Sequence, residues 1–196
     1  MVRPRKHSDE ELLDAARAVF LEHGPAASTS LIADAVGLSQ PALFKRFGTK
    51  EQLLIRALMP GPDIAWAQAL EAGPDDRPIR EQLEEVLLLA MDFFDGAMPC
   101  LMTLKAAGID FPEMMRAMPE PPPLRARRTA RDWFQRAMDQ GRIRQADADA
   151  AALAMIGSIQ ARAAMSHIFG EARPTADERH SHVRAVAELL WRGLCP

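Results

Sequence analysis

The chain has 196 residues, 48% of them hydrophobic and 26% charged, which excludes a disordered protein and leaves room for one or two folded domains. Its net charge is −3. We expect no membrane-spanning helix, because no uncharged apolar run reaches about 18 residues, and no signal peptide, because the basic N-terminus lacks an apolar segment. The two cysteines, Cys100 and Cys195, lack the spacing of a metal site and suit a cytoplasmic protein.

The first predicted helix runs from Ser8 to about His23. Ser8 and Glu11 form the S-x-x-E pattern of a capping box, in which each side chain bonds the backbone of the other residue. Gly24 followed by Pro25 ends the helix. Apolar residues recur at the spacing of one buried helix face at Leu12, Ala16, Val19 and Phe20.

Residues 28–47 are predicted to form two short helices joined by a three-residue turn. The first ends near Val36 and the second begins at Gln40. Gly37 accepts the left-handed backbone conformation that ends a helix, and Ser39 can cap the helix that follows. The pattern predicts a helix-turn-helix, whose second helix usually enters the major groove of DNA.

The remainder of the chain is predicted to be helical too. A second capping box at Thr49 and Gln52 opens a helix that ends at Pro60. Periodicity predicts further helices over 63–72, 78–97, 100–107, 124–140, 147–169 and 175–194, the last opened by a third capping box at Thr175 and Glu178. Residues 111–118 fit either a helix or a loop, and the proline-rich segment 119–123 is predicted not to be helical. We therefore predict an all-α protein with a helix-turn-helix domain over 1–59 and a helical bundle over 60–196.

These features resemble the TetR family of bacterial transcriptional regulators. The resemblance is specific over residues 9–58 and only architectural beyond residue 60. The positions that match the family pattern are Ile32, Ala33, Gly37, Leu38, Ser39, Leu43, Phe44, Phe47, Lys50, Glu51 and Leu53. The resemblance implies about nine helices, a homodimer that binds a palindromic operator in double-stranded DNA, and a bundle that holds a small apolar effector. No cofactor or metal, and no membrane partner, is expected.

Two positions depart from the family pattern. Family members usually have tyrosine at the position of Phe44, so we expect one hydrogen bond to a phosphate to be missing. Arg46 stands where histidine is more common, and its charged guanidinium is expected to offset that loss.

The surface expected to face DNA is centred on the second helix of the motif. Gln40 can pair with adenine, Ala42 can touch a thymine methyl group, and Lys45 can bind guanine or a phosphate. Lys50 opens the next helix beside backbone amides that favour a phosphate. Singly, each of these residues also fits an ordinary solvated helix face. The candidate DNA-binding residues are Ser28, Thr29, Ser39, Gln40, Pro41, Ala42, Phe44, Lys45, Arg46 and Lys50.

Positive charge is mildly biased toward this part of the chain. Residues 1–59 carry 8 Lys+Arg and 7 Asp+Glu, whereas residues 60–196 carry 16 and 20. Basic side chains are concentrated at Arg3, Arg5 and Lys6 and again near Lys45. A modest charge per subunit suits a dimer, because a dimer doubles the number of phosphate contacts.

Two further sets of candidates follow mainly from the resemblance. Flexible methionines and aromatic rings suit an adaptable effector pocket, although they equally fit plain core. The pocket candidates are Met91, Phe94, Met98, Met102, Phe111, Met114, Trp133 and Met138. Small and apolar residues on the last two helices suit close packing across a two-fold axis, although they equally fit the core of one chain. The dimer candidates are Ala154, Ser158, Ala161, Met165, Ile168, Val183, Val186 and Leu190.

Catalytic chemistry is weakly represented. The sequence has no GxSxG, phosphate-binding loop, GxGxxG or HExxH motif, so we predict no catalytic residues and no enzyme. Two alternatives stay open: a DNA-binding regulator without an effector, and a helical-bundle binder or enzyme with a vestigial DNA-binding head.

Overall fold

The computed structural model of the chain describes residues 8–61 and 64–195, and every regular element in these residues is an α-helix. The ten helices are α1 (Asp9–His23), α2 (Thr29–Ala35), α3 (Gln40–Phe47), α4 (Lys50–Leu58), α5 (Ala65–Glu71), α6 (Ile79–Ala106), α7 (Phe111–Arg116), α8 (Pro122–Asp139), α9 (Ala148–Ile168) and α10 (Ala176–Leu194). The predicted all-α class is confirmed. The basic cluster at Arg3, Arg5 and Lys6 lies outside the described residues.

Backbone contacts divide the chain into two compact units. The first consists of the described parts of residues 1–60 and 99–111, and the second consists of those of 61–98 and 112–196. The helix α6 therefore contributes to both units. The sequence-based domain division, 1–59 and 60–196, stays a prediction.

The helix boundaries follow from local capping. Each of the three predicted capping boxes is present, at Ser8 with Glu11, Thr49 with Gln52, and Thr175 with Glu178. In each box the hydroxyl accepts from one backbone N–H and the second side chain accepts from another, so two of the unpaired amides at the helix start are satisfied. The helices α1, α4 and α10 begin where the sequence predicts because of these bonds.

Two predictions about prolines were wrong. The predicted helices over 78–97 and 100–107 form one 28-residue helix, α6, with Pro99 in its interior. The proline removes one backbone hydrogen bond, but the buried neighbours Met98 and Cys100 hold the helix in place on either side. The segment 119–123 was predicted not to be helical, yet α8 begins at Pro122. Proline fits there because the first turn of a helix uses no backbone N–H donors.

The first unit is a small helical core. The helix α1 packs against α2 and α4, while α3 packs against α2 and α4. The side chains of this core are almost completely buried, and each buried leucine, isoleucine or phenylalanine stabilises the fold by about 1.5–3 kcal/mol. The core residues include Leu12, Ala16, Phe20, Ile32, Leu43, Phe47, Leu53 and Leu54.

The second unit has a larger core. The helix α8 packs against both α5 and α9, and α9 packs against α10. The helix α6 is long and apolar enough to cross a membrane by length and composition alone. Core helices of folded bundles have the same composition, and Leu83, Leu87 and Ala90 of α6 belong to the hydrophobic core of this unit. Packing therefore accounts for the apolar character of α6.

A buried glutamine fixes the loop that precedes α6. Gln82 is only 4% exposed. Its Oε1 accepts from the backbone N–H of Asp75 at 3.0 Å, and its Nε2 donates to the carbonyls of Asp75 at 3.1 Å and Arg77 at 2.6 Å. All three partners are backbone groups, so Gln82 braces the loop from the core side, while the guanidinium of Arg142 donates to the same two carbonyls.

Candidate functional site

The helix pair α2 and α3 forms the predicted helix-turn-helix. Gly37 has a φ of +67°, which glycine adopts at little cost, and the backbone N–H of Leu38 donates to the carbonyl of Ala33 at 3.0 Å to close the end of α2. Ile32 and Leu43 are fully buried on the facing sides of the two helices. The orientation of α3 is therefore set by packing and by the turn, not by its outer side chains.

The outer face of α3 carries most of the predicted contact residues. Ser39 caps the helix by accepting from the N–H of Ala42 at 3.4 Å. Phe44 is half-buried, while the remaining predicted side chains of this helix are exposed: Gln40, Pro41, Ala42, Lys45 and Arg46. Thus one short helix presents a glutamine, a methyl group and two cations on a rigid surface.

The start of α2 lies beside the start of α3. Ser28 caps α2 by accepting from the N–H of Leu31 at 3.2 Å. The hydroxyl of Thr29 donates to Oε1 of Gln40 at 3.3 Å. Thr29 is half-buried and Gln40 is exposed, so this bond ties an outward-facing amide to the body of the unit.

A tight junction places Lys50 directly after α3. Gly48 has a φ of +83° and a ψ of −125°, and the side chain of Gln52 crosses over it to accept from the backbone N–H of Thr49 at 2.9 Å. A Cβ on Gly48 would lie 1.9 Å from Oε1 of Gln52. A side chain at this position would force the end of the Gln52 side chain to move. Lys50 follows as the first residue of α4, half-buried.

The cations of this surface differ in their surroundings. Within residues 8–61 and 64–195, Lys45 and Lys50 have no hydrogen bond or ion pair, so both ammonium groups are available to a ligand. Arg46 is instead bonded to Asp9, with both Nε and Nη2 at 2.5 Å from Oδ1. Asp9 also accepts from Arg56 at 3.3 Å, and the guanidinium of Arg56 lies 4.9 Å from the centroid of the Phe47 ring.

Sequence reasoning missed the role of Asp9. An acidic residue in the first turn of a helix is ordinary, since it complements the helix dipole. Its partners stand 37 and 47 positions later in the chain, a separation that no local pattern reveals. Asp9 thereby joins the start of α1 to the ends of α3 and α4. The contact of Arg46 with a phosphate stays a prediction, and in the free protein its guanidinium is bonded to Asp9.

The predicted pocket residues divide between the two units. Met102 and Phe111 belong to the first unit, where Met102 is exposed and Phe111 is half-buried. Met114 belongs to the second unit and is half-buried. The others lie in the hydrophobic core of the second unit: Met91, Phe94, Met98, Trp133 and Met138. Their role in ligand binding stays a prediction.

One buried donor in the second unit has no acceptor. Trp66 of α5 is 2% exposed, and its indole Nε1 bonds to no atom of the described chain. A buried N–H without a partner costs about 1–3 kcal/mol. The apolar core around Trp66 therefore contains one hydrogen-bond donor that no acceptor satisfies.

The predicted dimer residues differ sharply in burial. On α9, Ala154, Ala161, Met165 and Ile168 are exposed, and Ser158 is half-buried. These residues form a mostly apolar, solvent-exposed stripe along α9.

The α10 residues of the dimer prediction lie on the inner face of that helix. Val183 and Val186 are 1% and 8% exposed because they belong to the core of their own chain, which leaves them little surface for a partner. Leu190 is half-buried against the same core. The outer face of α10 instead carries Ala185 and Leu189, and Leu189 is 73% exposed. Ala185 and Leu189 are four positions apart, which places them on one face of a helix, and this spacing is the signal in the sequence that could have identified the outer face.

A polar pair lies between α9 and α10. Nε of Arg162 and Nε2 of His182 are buried atoms without a hydrogen-bond partner in the described chain. Burial holds the pKa of His182 below its usual value, and the nearby charge of Arg162 lowers it further, while a hydrogen bond to the backbone of Ser158 opposes both. His182 is therefore neutral at pH 7.

Residues 8–61 and 64–195 contain no group of three or more His, Cys, Asp or Glu side chains that could hold a metal ion. Cys100 is buried, and that burial raises the pKa of its thiol, which disfavours the reactive thiolate.

Known proteins resemble both parts of the chain. A family model described as bacterial regulatory proteins of the tetR family matches residues 12–57, and a model described as the C-terminal domain of AefR-like transcriptional repressors matches residues 81–192. The HTH-type transcriptional repressor BdcR of Escherichia coli K12 is 34% identical over 86 residues. That alignment covers 43% of this chain and 44% of BdcR, so the chain matches under half the length of this relative.

Solved structures share the fold over nearly the full chain. A TetR-family transcriptional regulator from Mesorhizobium loti has a TM-score of 0.74 at 19% identity, with 97% of this chain and 100% of that chain covered. FadR from Bacillus subtilis, solved in complex with stearoyl-CoA, has a TM-score of 0.69 at 17% identity, with 93% and 97% covered. These identities establish the fold alone. Because the C-terminal family model spans more than half of the chain and the N-terminal model spans the helix-turn-helix, the protein belongs to the TetR family of bacterial regulatory proteins.

Proposed function

We propose that the protein is a cytoplasmic transcriptional repressor that binds a palindromic operator as a homodimer and is released by a small apolar ligand. The observation that carries the proposal is the outer face of α3, where polar and cationic side chains are exposed on a helix whose inner face is fully packed. Such a helix is suited to enter a major groove without rearrangement.

The proposed docking uses two kinds of contact. Gln40 and Ala42 stand at the start of α3, where side chains reach base edges and supply sequence preference. Lys45 and Lys50 have no protein partner in the described residues and supply phosphate contacts, which set affinity and its salt dependence. In a two-fold dimer the two copies of α3 would occupy successive major grooves, about 34 Å apart.

The exposed apolar stripe of α9 and the outer face of α10 support the dimer. Side chains such as Leu189, at 73% exposure, and Ile168, at 54%, are costly to leave in water along two adjacent helices. The small side chains of Ala154, Ala161 and Ala185 allow the helices of two subunits to approach closely. A symmetric pairing through these faces would bury both stripes.

An effector site in the second unit is supported by the unpaired indole of Trp66. A ligand that carries a hydrogen-bond acceptor and an apolar body would satisfy this donor and lie among the flexible methionines of the same core. Release from DNA requires that the ligand bind one subunit arrangement more tightly than the other. A difference of about 1.4 kcal/mol shifts the DNA affinity tenfold.

Selection of bound sequences from a random double-stranded DNA pool, with the full-length protein at physiological salt, tests the proposal. A motif of two inverted half-sites about one helical turn apart is the expected result. Absence of any enriched motif would overturn it and favour a ligand-binding bundle with a vestigial DNA-binding head.

The selected DNA then serves to test the effector. Stearoyl-CoA is a suitable first probe, because FadR of Bacillus subtilis is solved in complex with it, and coenzyme A alone is the matched control. Loss of DNA binding with the acyl chain but not with coenzyme A would support an apolar effector of this kind. If a broad set of apolar ligands leaves DNA binding unchanged, the effector-free alternative is favoured.

A further inference from the structure

We propose that Thr29 determines base preference by positioning the amide of Gln40, so that the amino group of Gln40 reads hydrogen-bond acceptors in the major groove. The inference rests on the proposed function and adds a specificity-determining residue to it. Thr29 stands on α2, outside the recognition helix, and acts through Gln40 without touching a base.

The geometry links the two side chains. The hydroxyl of Thr29 donates to Oε1 of Gln40 at 3.3 Å, across 11 residues of sequence. Thr29 is held by its place as the first residue of α2, directly after the Ser28 cap, and its branched side chain has few rotamers. Gln40 is held at its backbone by the Ser39 cap and by Pro41, which fixes the first turn of α3. One hydrogen bond therefore orients an otherwise exposed and rotatable amide.

The orientation decides what the amide can read. An unconstrained glutamine pairs with adenine by accepting from N6 and donating to N7 at once. When Oε1 is directed at Thr29, the Nε2 amino group is the end left for the base. Two N–H donors match the two acceptors N7 and O6 of guanine, or the O4 acceptor of thymine. Adenine offers only N7 as an acceptor, beside an N6 amino group that opposes the approaching donors. The half-site position read by Gln40 is therefore expected to favour guanine or thymine.

Three full-length proteins test the inference in parallel DNA selections: the wild type, Thr29→Val and Thr29→Ser. Valine keeps the branched shape but removes the hydroxyl, while serine keeps the hydroxyl. The position read by Gln40 is identified as the one whose preference disappears in Gln40→Ala. We expect the preference for guanine or thymine over adenine at this position to fall by roughly fivefold or more in Thr29→Val, and to persist in Thr29→Ser.

A direct phosphate contact by Thr29 would give a different result, because it would weaken binding to all sequences and leave the preferred base unchanged. The double variant Thr29→Val/Gln40→Ala should have the same base preferences as Gln40→Ala alone, because Thr29 acts on base preference only through the side chain of Gln40. Thermal melting of each variant detects a loss of folding.

The outcomes separate this inference from the proposed function. If the wild type enriches no motif, the proposed function itself fails. If the wild type enriches two half-sites but prefers adenine at the position read by Gln40, or if Thr29→Val keeps the wild-type preference, the inference is overturned while the proposed function stands.

Discussion

Replacing Gly48 by alanine tests how α3 is joined to α4. Gly48 and Gly37 both have positive φ, at +83° and +67°, so an alanine at either position is strained. The surroundings differ: a Cβ at Gly37 meets nothing within 4 Å, whereas a Cβ at Gly48 lies 1.9 Å from Oε1 of Gln52. Gly37→Ala is therefore a control for a positive-φ glycine in open surroundings, whereas the ψ of −125° places Gly48 outside the left-handed helical region.

The expected losses of stability have two causes, the backbone strain and the clash with the Gln52 side chain. Left-handed backbone costs a residue with a Cβ about 1–2 kcal/mol, and this is the whole expected loss of stability for Gly37→Ala. In Gly48→Ala the side chain of Gln52 must also move, which breaks its 2.9 Å bond to the backbone of Thr49. That bond is half of a capping box and contributes about 1 kcal/mol. Because the φ of +83° and ψ of −125° at Gly48 cost a residue with a Cβ about 1–3 kcal/mol, we expect Gly48→Ala to cost about 2–4 kcal/mol in all.

Urea unfolding at one protein concentration, followed by circular dichroism, measures the free energy of unfolding of each variant. Gln52→Ala removes the obstructing side chain, so Gly48→Ala in that background should lose only the backbone cost. The two substitutions are expected to be non-additive by about 1 kcal/mol. Equal losses for Gly48→Ala and Gly37→Ala, or strict additivity with Gln52→Ala, would refute the proposed crossing of Gln52 over Gly48.

Three further substitutions test other parts of the structure. Lys50→Ala should weaken binding to all DNA sequences and reduce the slope of log affinity against log salt by about 0.9 per subunit, or about 1.8 for the dimer. Arg46→Ala should change that slope less, because the Arg46 guanidinium is already bonded to Asp9, and equal slope changes for the two variants in a filter-binding titration would contradict this. Gln82→Ala should lower the free energy of unfolding by about 1–3 kcal/mol, because the backbone N–H of Asp75 loses its acceptor while the two carbonyls keep Arg142 as a donor. A loss below ~0.5 kcal/mol in urea titration would argue against the bracing role of Gln82. Leu189→Asp on α10 should shift the sedimentation coefficient toward that of the monomer. Leu124→Asp, which changes a 58% exposed leucine of α8, is the control and should leave the dimer intact. A dimer that survives Leu189→Asp would exclude the α10 face from the interface.

The local signals in the sequence predicted the first unit well. The turn at Gly37, the cap at Ser39 and the capping box at Thr49 are short-range features, and each depends on residues at most three positions apart. The bounds of α3 were therefore predictable without tertiary information. Exposure along α3 followed as well, because an eight-residue helix with Leu43 and Phe47 buried has one outer face.

Other features depend on contacts that the sequence does not display. Separate helices were predicted over 78–97 and 100–107, but the chain forms one helix through Pro99, because packing of its neighbours outweighs the local cost of a proline in a helix interior. The faces of α10 could not be divided, because Val183 and Leu189 are both apolar and differ only in what lies opposite them. The ion pair of Asp9 with Arg46 joins residues far apart in sequence, so the sequence did not show that the Arg46 guanidinium already has a partner within the protein.

The first compact unit is discontinuous in the sequence, so a DNA-reading head of this kind cannot be exchanged between proteins as one N-terminal segment. Leu104 and Ile109 belong to it and are buried, yet they follow Pro60 only after α5 and most of α6. A chimaera that joins residues 1–60 to a foreign bundle would uncover apolar surface unless the recipient supplies an equivalent helix end. Recombination that creates new operator specificities is thus expected to succeed when residues 99–111 travel with the head, or when only the outer side chains of α3 are changed.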